Sequence, residues 1–258
     1  MKEEDVDIVV GLVGNPNVGK SAFFHQVTGI GVTVSNYPGT TVEVAEGRTH
    51  YGDRTIEVID LPGVYSLGAV AEDERVARNE ILEGEIDVII DVLDASNLER
   101  NLYLALQLIE LNVPIVIALN QYDVAMKRGI KVDPDILSEK LGIPVIETVA
   151  TKGENVSEAF SKAIEVGEKG LRPDGKIELG KDLEEIVEEL TEIMEEKFES
   201  TPHNLPPRAL AIKLLEGDEE IMDLLLETES GEKIVQRARE AAQKIKDRHG
   251  EAAAFRIA

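Results

Sequence analysis

The stretch Ile8-Val-Val-Gly-Leu-Val-Gly14-Asn-Pro-Asn-Val-Gly-Lys-Ser21 decides the fold. Ile8–Val13 is an apolar, mostly β-branched run, the pattern of a strand buried on both faces. Directly after it, Gly14 to Ser21 fills every fixed position of the phosphate-loop pattern G-x-x-x-x-G-K-[ST]. Gly14 and Gly19 let the backbone curl until successive N–H groups point inward at phosphate oxygens. A helix expected from Lys20 onward adds the positive end of its dipole. Lys20 places a compact charge at the β- and γ-phosphates, and Ser21 offers a hydroxyl to Mg2+. The expected nucleotide contacts are therefore Gly14, Asn15, Pro16, Asn17, Val18, Gly19, Lys20, Ser21 and Ala22. Ala22 stands where many related loops carry a second hydroxyl, so backbone N–H alone is left to serve the α-phosphate.

Outward from this loop, short apolar runs alternate with helical patterns as far as about residue 166. The strands expected are Asp7–Val13, Val42–His50, Thr55–Asp60, Asp87–Leu93, Pro114–Asn120 and Pro144–Val149. Helices are expected over Lys20–Thr28, Glu72–Leu82, Leu98–Leu111, Pro134–Leu141 and Val156–Val166, with Asp133-Pro134 as N-cap and first helical residue. That rhythm predicts an α/β fold with a mostly parallel six-stranded sheet. One strand runs antiparallel, because Val42–His50 and Thr55–Asp60 are joined by the tight turn Tyr51-Gly-Asp-Arg54.

Near residue 170 the texture changes. Gly167 to Gly175 reads as a linker rich in Gly and Pro, and the strand signal ends there. Leu183, Ile186, Val187, Leu190, Ile193, Met194 and Phe198 share one helix face. Pro206 and Pro207 open a second helix near Arg208, and Asp218–Glu227 and Gly231–Ile257 read as two more. The division expected is residues 1–170 as the phosphate-binding domain and 171–258 as a small all-α domain. The last helical pattern runs uncapped to Ala258, which reads equally as a fragment of a longer chain and as a frayed tail.

Composition narrows the function. The 258 residues carry 51 acidic against 27 basic groups, a formal net charge of −24. Residues 1–170 hold 29 acidic and 14 basic groups, and residues 171–258 hold 22 and 13, so neither part has the basic field that nucleic acid requires. There is no Cys, which excludes disulfides, thiolate metal sites and a Cys nucleophile. His25, His50, His203 and His249 lack paired ligand spacing. No apolar run approaches the ~18 residues a membrane helix needs, and the acidic N-terminus is not a signal peptide. A chain of this kind is expected to be soluble and cytoplasmic.

Four further motifs follow the phosphate loop. Asn120-Gln-Tyr-Asp123 comes straight after the apolar strand Ile115–Leu119. The Asp123 carboxylate can accept from both N1–H and the 2-amino group of guanine. Adenine has neither donor, so a buried acceptor would be left unpaired and ATP rejected. Asn120 is expected beside N7. Asp60-Leu-Pro-Gly63 ends the strand Thr55–Ile59, with Asp60 suited to a Mg2+-bound water and the Gly63 N–H to the γ-phosphate. Asn36-Tyr-Pro-Gly-Thr-Thr41 lies between it and the phosphate loop, with Thr41 the candidate to reach Mg2+ when GTP is bound. Ala150-Thr151-Lys-Gly153 follows the last strand, and the Ala150 N–H is suited to guanine O6. Catalysis is expected from Lys20, Thr41 and Gly63. Val64, just after Asp60–Gly63, cannot hydrogen-bond water where some GTPases use Gln, so intrinsic turnover is expected to be slow.

The wording of these motifs goes further. Asn36-Tyr-Pro-Gly-Thr-Thr-Val-Glu43, Asp60-Leu-Pro-Gly-Val-Tyr-Ser-Leu67 and Asp94-Ala-Ser-Asn-Leu-Glu-Arg-Asn-Leu-Tyr103 closely resemble the ferrous-iron transport protein B family. The resemblance covers residues 8 to about 160, while residues 171–258 match by type and position. It implies a GTPase domain followed by a helical domain regarded as a GDP-dissociation inhibitor. The partner it implies is a polytopic iron-transport domain of the same full-length protein, which would set this part on the cytoplasmic face of the membrane. A homo-oligomer is compatible with it. Asn17 is similar to the residue that ligates K+ in potassium-activated GTPases, so a K+ held there would do part of the work of an arginine finger. Two other readings share the five motifs: a ribosome- or RNA-associated GTPase, against which the charge argues, and a nucleotide sensor that binds without productive turnover.

Overall fold

The computed structural model describes residues 6–29, 32–68, 71–174, 179–198, 201–202, 205–228 and 230–249. The chain divides into two compact units, Met1–Gly175 and Lys176–Ala258. The first is built on seven strands: β1 (Ile8–Gly14), β2 (Thr33–Asn36), β3 (Glu43–Tyr51), β4 (Arg54–Asp60), β5 (Val88–Asp94), β6 (Ile115–Asn120) and β7 (Val145–Glu147). They lie side by side in the order β2-β3-β4-β1-β5-β6-β7. β3 is antiparallel to both of its neighbours and all other pairs are parallel, so one strand runs against the rest, as the hairpin predicted.

The sheet therefore has seven strands rather than the six expected. The extra one, β2, pairs with β3 along one edge. All four of its residues are exposed. Thr33-Val-Ser-Asn36 has no buried face and so no alternation to read.

Among the described residues of this unit the α-helices are α1 (Lys20–Thr28), α2 (Glu72–Glu83), α3 (Leu98–Glu110), α4 (Tyr122–Lys127), α5 (Pro134–Leu141) and α6 (Val156–Lys169). Phe23 and Phe24 of α1 and Phe160, Ala163 and Ile164 of α6 join Val10, Leu12, Val58, Ile90, Val92 and Val116 in one core on one face of the sheet. Alternation along β5 then sends Ile89, Asp91 and Leu93 to the opposite face. α5 opens as expected, with the Asp133 side chain accepting from the N–H groups of Asp135 and Ile136 at 3.1 and 3.2 Å. α6 outruns its expected end and takes in Gly167, the start of the predicted linker. A Cβ there would meet Val88 at 3.0 Å, so this Gly serves close helix–strand packing rather than flexibility.

The second unit contains α7 (Lys181–Lys197), α8 (Pro207–Glu216), α9 (Glu219–Leu226) and α10 (Gly231–His249). Leu183, Val187, Leu190 and Met194 form the buried stripe of α7. α8 begins at Pro207 with Pro206 as its N-cap, the two residues expected to open it. Arg208 of α8 donates to both carboxylate oxygens of Glu184 at 2.7 and 3.2 Å, and Arg237 of α10 pairs with Glu189, so both helices are tied to α7. The predicted helix past residue 249 and the uncapped end at Ala258 lie outside the described residues.

Asp91 is an anomaly of the first unit. It sits mid-strand in β5 opposite Val13 and Ile117, is 1% exposed, and neither carboxylate oxygen has a hydrogen-bond partner among the described residues. Burial pushes its pKa well above the usual carboxylate value. A folded pKa above the unfolded one gives a contribution fully present below about pH 4 and lost as pH rises. Asp91→Val is therefore expected to stabilise the protein at neutral pH by about 1–3 kcal/mol, since no hydrogen bond is given up. Urea midpoints at acid and neutral pH check this. The gain should grow toward neutral pH, and a variant less stable at both would contradict the account.

Candidate functional site

The phosphate loop joins β1 to α1. Asn17 and Gly19 both have left-handed backbones, at φ 68° and 93°. A Cβ on Gly14 would lie 2.5 Å from the Val92 carbonyl oxygen, and one on Gly19 would lie 2.4 Å from Asn120 Nδ2. The two fixed glycines are thus required by close approach as well as by conformation. The neighbouring Asn15 is buried, and its side-chain amide donates to the Arg100 carbonyl at 3.4 Å.

Lys20 closes the loop onto the end of β4. Its ammonium forms a short ion pair with Asp60 and also donates to the Leu61 carbonyl. The pair is nearly shielded from solvent, at 10% and 12% side-chain exposure. Beyond Asp60 the chain stays against the loop, with Leu61 N donating to Leu12 O at 3.1 Å and Val64 N to Gly14 O at 3.2 Å. Gly63 lies so close that a Cβ would sit 3.3 Å from Pro16 Cα. Val64 is 2% exposed, so its side chain belongs to the core.

The residues after Val64 are braced by α3. Leu67 N donates to Gln107 Oε1 at 2.7 Å, and Gln107 Nε2 donates to Tyr103 Oη at 3.0 Å. Arg100 stands 4.1 Å over the Tyr65 ring, within cation–π range. Asn101 accepts from Asp94 N and donates to the Asn97 carbonyl, fixing the turn that leads into α3. The segment Asp94–Tyr103, noticed only for its wording, is in structural terms a buttress for Tyr65–Leu67.

At the end expected to read the base, Asn120 is 2% exposed. Its Nδ2 donates to the Val18 carbonyl at 2.8 Å, while its Oδ1 accepts from Ala150 N at 2.9 Å and from Thr148 Oγ1 at 3.3 Å. One side chain thereby ties the phosphate loop to the Ala150–Lys152 turn. The Ala150 N–H, expected to face the base, is directed at Asn120, so any base contact from it shares that hydrogen. Thr151 lies exposed in the same turn. Asp123 lies in the first turn of α4, a six-residue helix that periodicity did not reveal. Its carboxylate accepts from Lys152 at 2.9 Å and from Lys127 at 3.3 Å. The Lys152 hydrogen bond is the main cause that holds the Asp123 pKa below the ordinary value. Lys152 was quoted within a motif, but its partnership with Asp123 depends on two loops meeting and leaves no local signal.

Thr41 is tied to α2. Its hydroxyl donates to Glu72 Oε2 at 3.2 Å, at the start of α2. The turn before it is closed by Tyr37 N to Val42 O at 2.8 Å and Thr40 N to Tyr37 O at 3.0 Å. The structure thus gathers Gly14–Ser21, Asp60, Gly63, Asn120 and Ala150 around one loop, and parks Thr41 on a carboxylate.

Residues 8–163 match the family described as Ferrous iron transport protein B, and residues 180–258 match the FeoB cytosolic helical domain. The chain belongs to the ferrous iron transport protein B family. Among its relatives is the Fe(2+) transport protein A/Fe(2+) transporter FeoB fusion protein of Porphyromonas gingivalis, 43% identical over 94% of this chain and 29% of that protein. The Fe(2+) transporter FeoB of Escherichia coli K12 is 40% identical over 82% of this chain and 27% of its own length. The chain thus spans less than a third of these curated relatives. Solved FeoB cytosolic structures match far more fully. A GDP-bound S. thermophilus NFeoB mutant has TM-score 0.82 and 34% identity, covering 97% of this chain and 98% of that one. The apo cytosolic domain of T. maritima FeoB has TM-score 0.78 and 34% identity, covering 93% and 98%. This FeoB-family chain has the P-loop GTPase fold followed by a helical domain. Among its described residues, no helix is long and apolar enough to cross a membrane.

Proposed function

We propose that this chain binds GTP and GDP, hydrolyses GTP slowly, and is the nucleotide-reading part of a membrane ferrous iron transporter, on its cytoplasmic face. The observation that carries the reading is Asn120, which joins the phosphate loop to the Ala150 turn and holds two halves of one nucleotide site together. The GDP-bound S. thermophilus relative supports the ligand, and the transporters named among the relatives support the membrane iron-transport domain as partner in the same full-length protein. Residues 171–258 act on GDP release, and the net charge of −24 speaks against nucleic acid.

The residues fit the ions this chemistry uses. Ser21, Thr41 and Asp60 are the hard oxygen donors that suit Mg2+, and the Asn17 side-chain oxygen suits K+. When bound, these ions supply positive charge that offsets the charge developing on the phosphate oxygens. The Lys20–Asp60 pair already places one cation and one anion at the loop. With nucleotide bound, Lys20 would serve the β- and γ-phosphates and Asp60 would help to hold Mg2+. The Gly63 N–H donates to the γ-phosphate. Thr41 leaves Glu72 in the GTP state, which makes its segment a switch. Backbone groups of that segment orient the attacking water, because Val64 is buried.

Single-turnover GTP hydrolysis tests this. The rate should be about 10- to 100-fold higher in K+ than in Na+, a share of what an arginine finger supplies. Asn17→Ala should abolish that difference while GDP still binds. Thr41→Ala should slow hydrolysis with little change in GDP affinity. Full K+ stimulation in the Asn17→Ala protein would contradict the cation role.

A further inference from the structure

We infer that Gln121 is a positioning residue that fixes the phosphate loop from outside and so sets how fast the nucleotide leaves. The inference rests on the guanine-nucleotide reading above. In a phosphate loop the N–H groups turn inward to the ligand, so the carbonyls turn outward and need donors of their own. Two consecutive carbonyls find them on two consecutive residues of the base-reading loop. Asn120 Nδ2 donates to Val18 O at 2.8 Å, and Gln121 Nε2 donates to Asn17 O at 3.1 Å. The rungs form a short ladder between segments more than 100 residues apart.

Both residues joined by the second rung have unusual backbones. Gln121 has φ 54° and Asn17 has φ 68°, in the left-handed region that non-glycine residues seldom adopt. For Asn17 this is the conformation that belongs to the inward curl of the loop. A donor on its carbonyl is well placed to hold that conformation. Gln121 stands where many GTPases carry Lys, and its amide reaches the phosphate loop directly. Its hydrogen bond uses the carbonyl of Asn17, whereas the proposed K+ ligand is the side-chain oxygen of the same residue. Gln121 therefore governs the loop itself, and its effect persists whether or not K+ is present.

Stopped-flow release of a fluorescent GDP analogue from the whole chain tests this. Gln121→Leu keeps the bulk and the backbone cost at this position but removes the donor. It should release the analogue roughly three- to tenfold faster, the range of one net hydrogen bond. Gln121→Lys restores a donor and should return the rate toward that of the parent. The preference for GDP over XDP should be unchanged in both, because Asp123 is intact. Release from the Leu variant at the parental rate, or a Lys variant as fast as the Leu variant, would overturn the assignment. A parent protein that fails to bind GDP at all would overturn the nucleotide reading and this inference with it.

Discussion

Asp123→Asn is expected to invert the base preference of this chain. In the parent, the carboxylate accepts from two donors on the guanine edge. An Asn side chain presents an amino group to that edge in place of one acceptor, while the 2-oxo group of xanthine now accepts from it. The variant loses two matched hydrogen bonds to guanine at once and sets an amino group against a guanine donor, so GDP affinity should fall roughly 10²- to 10⁴-fold. XDP should gain by a comparable factor. Lys152 and Lys127 already neutralise Asp123 and hold its pKa down, so the parental preference should be flat with pH through the neutral range. It should fail only below the ordinary carboxylate pKa of about 3.9, where the acceptor is protonated. Parallel GDP and XDP titrations of parent and variant check both statements. An Asn variant that keeps its guanine preference would remove Asp123 from the site.

Gly19→Ala is expected to abolish useful nucleotide binding without unfolding the protein. The added methyl would sit 2.4 Å from Asn120 Nδ2, in a residue held at φ 93°. Either Asn120 swings away, losing its bonds to Val18 and Ala150, or the loop opens. Left-handed strain of about 1–2 kcal/mol and two hydrogen bonds of about 1 kcal/mol each total about 3–4 kcal/mol, roughly 10²- to 10³-fold in affinity. The core on both faces of the sheet is untouched, so circular dichroism should show a folded chain. A Gly19→Ala protein that binds GDP within threefold of the parent would contradict the packing described here.

The phosphate loop, Asp60, Asn120 and Asp123 stood out in the sequence as candidates because their chemistry ties a residue type to a fixed spacing beside a strand. The strands β1, β5 and β6 were legible because burial on both faces leaves an unbroken apolar run. β2 was not, since all four of its residues are exposed. α4 was not, because six residues entered from the left-handed Gln121 show no period. Gly167 read as a linker residue because the demand on it comes from Val88, 79 positions away. The same holds for the site. Gln121 reaches Asn17, Lys152 reaches Asp123 and Thr41 reaches Glu72 only once distant loops meet. What the sequence hides is the set of contacts between loops, and those contacts hold the motifs in register.

The central claim is that this chain is a guanine-specific nucleotide site, and equilibrium titration of the parent protein with GDP and with ADP tests it most directly. The account predicts saturable, stoichiometric GDP binding, with ADP at least about 100-fold weaker because adenine offers Asp123 neither the N1–H nor the 2-amino donor of guanine. Equal affinity for the two nucleotides, or no binding of either, would contradict it.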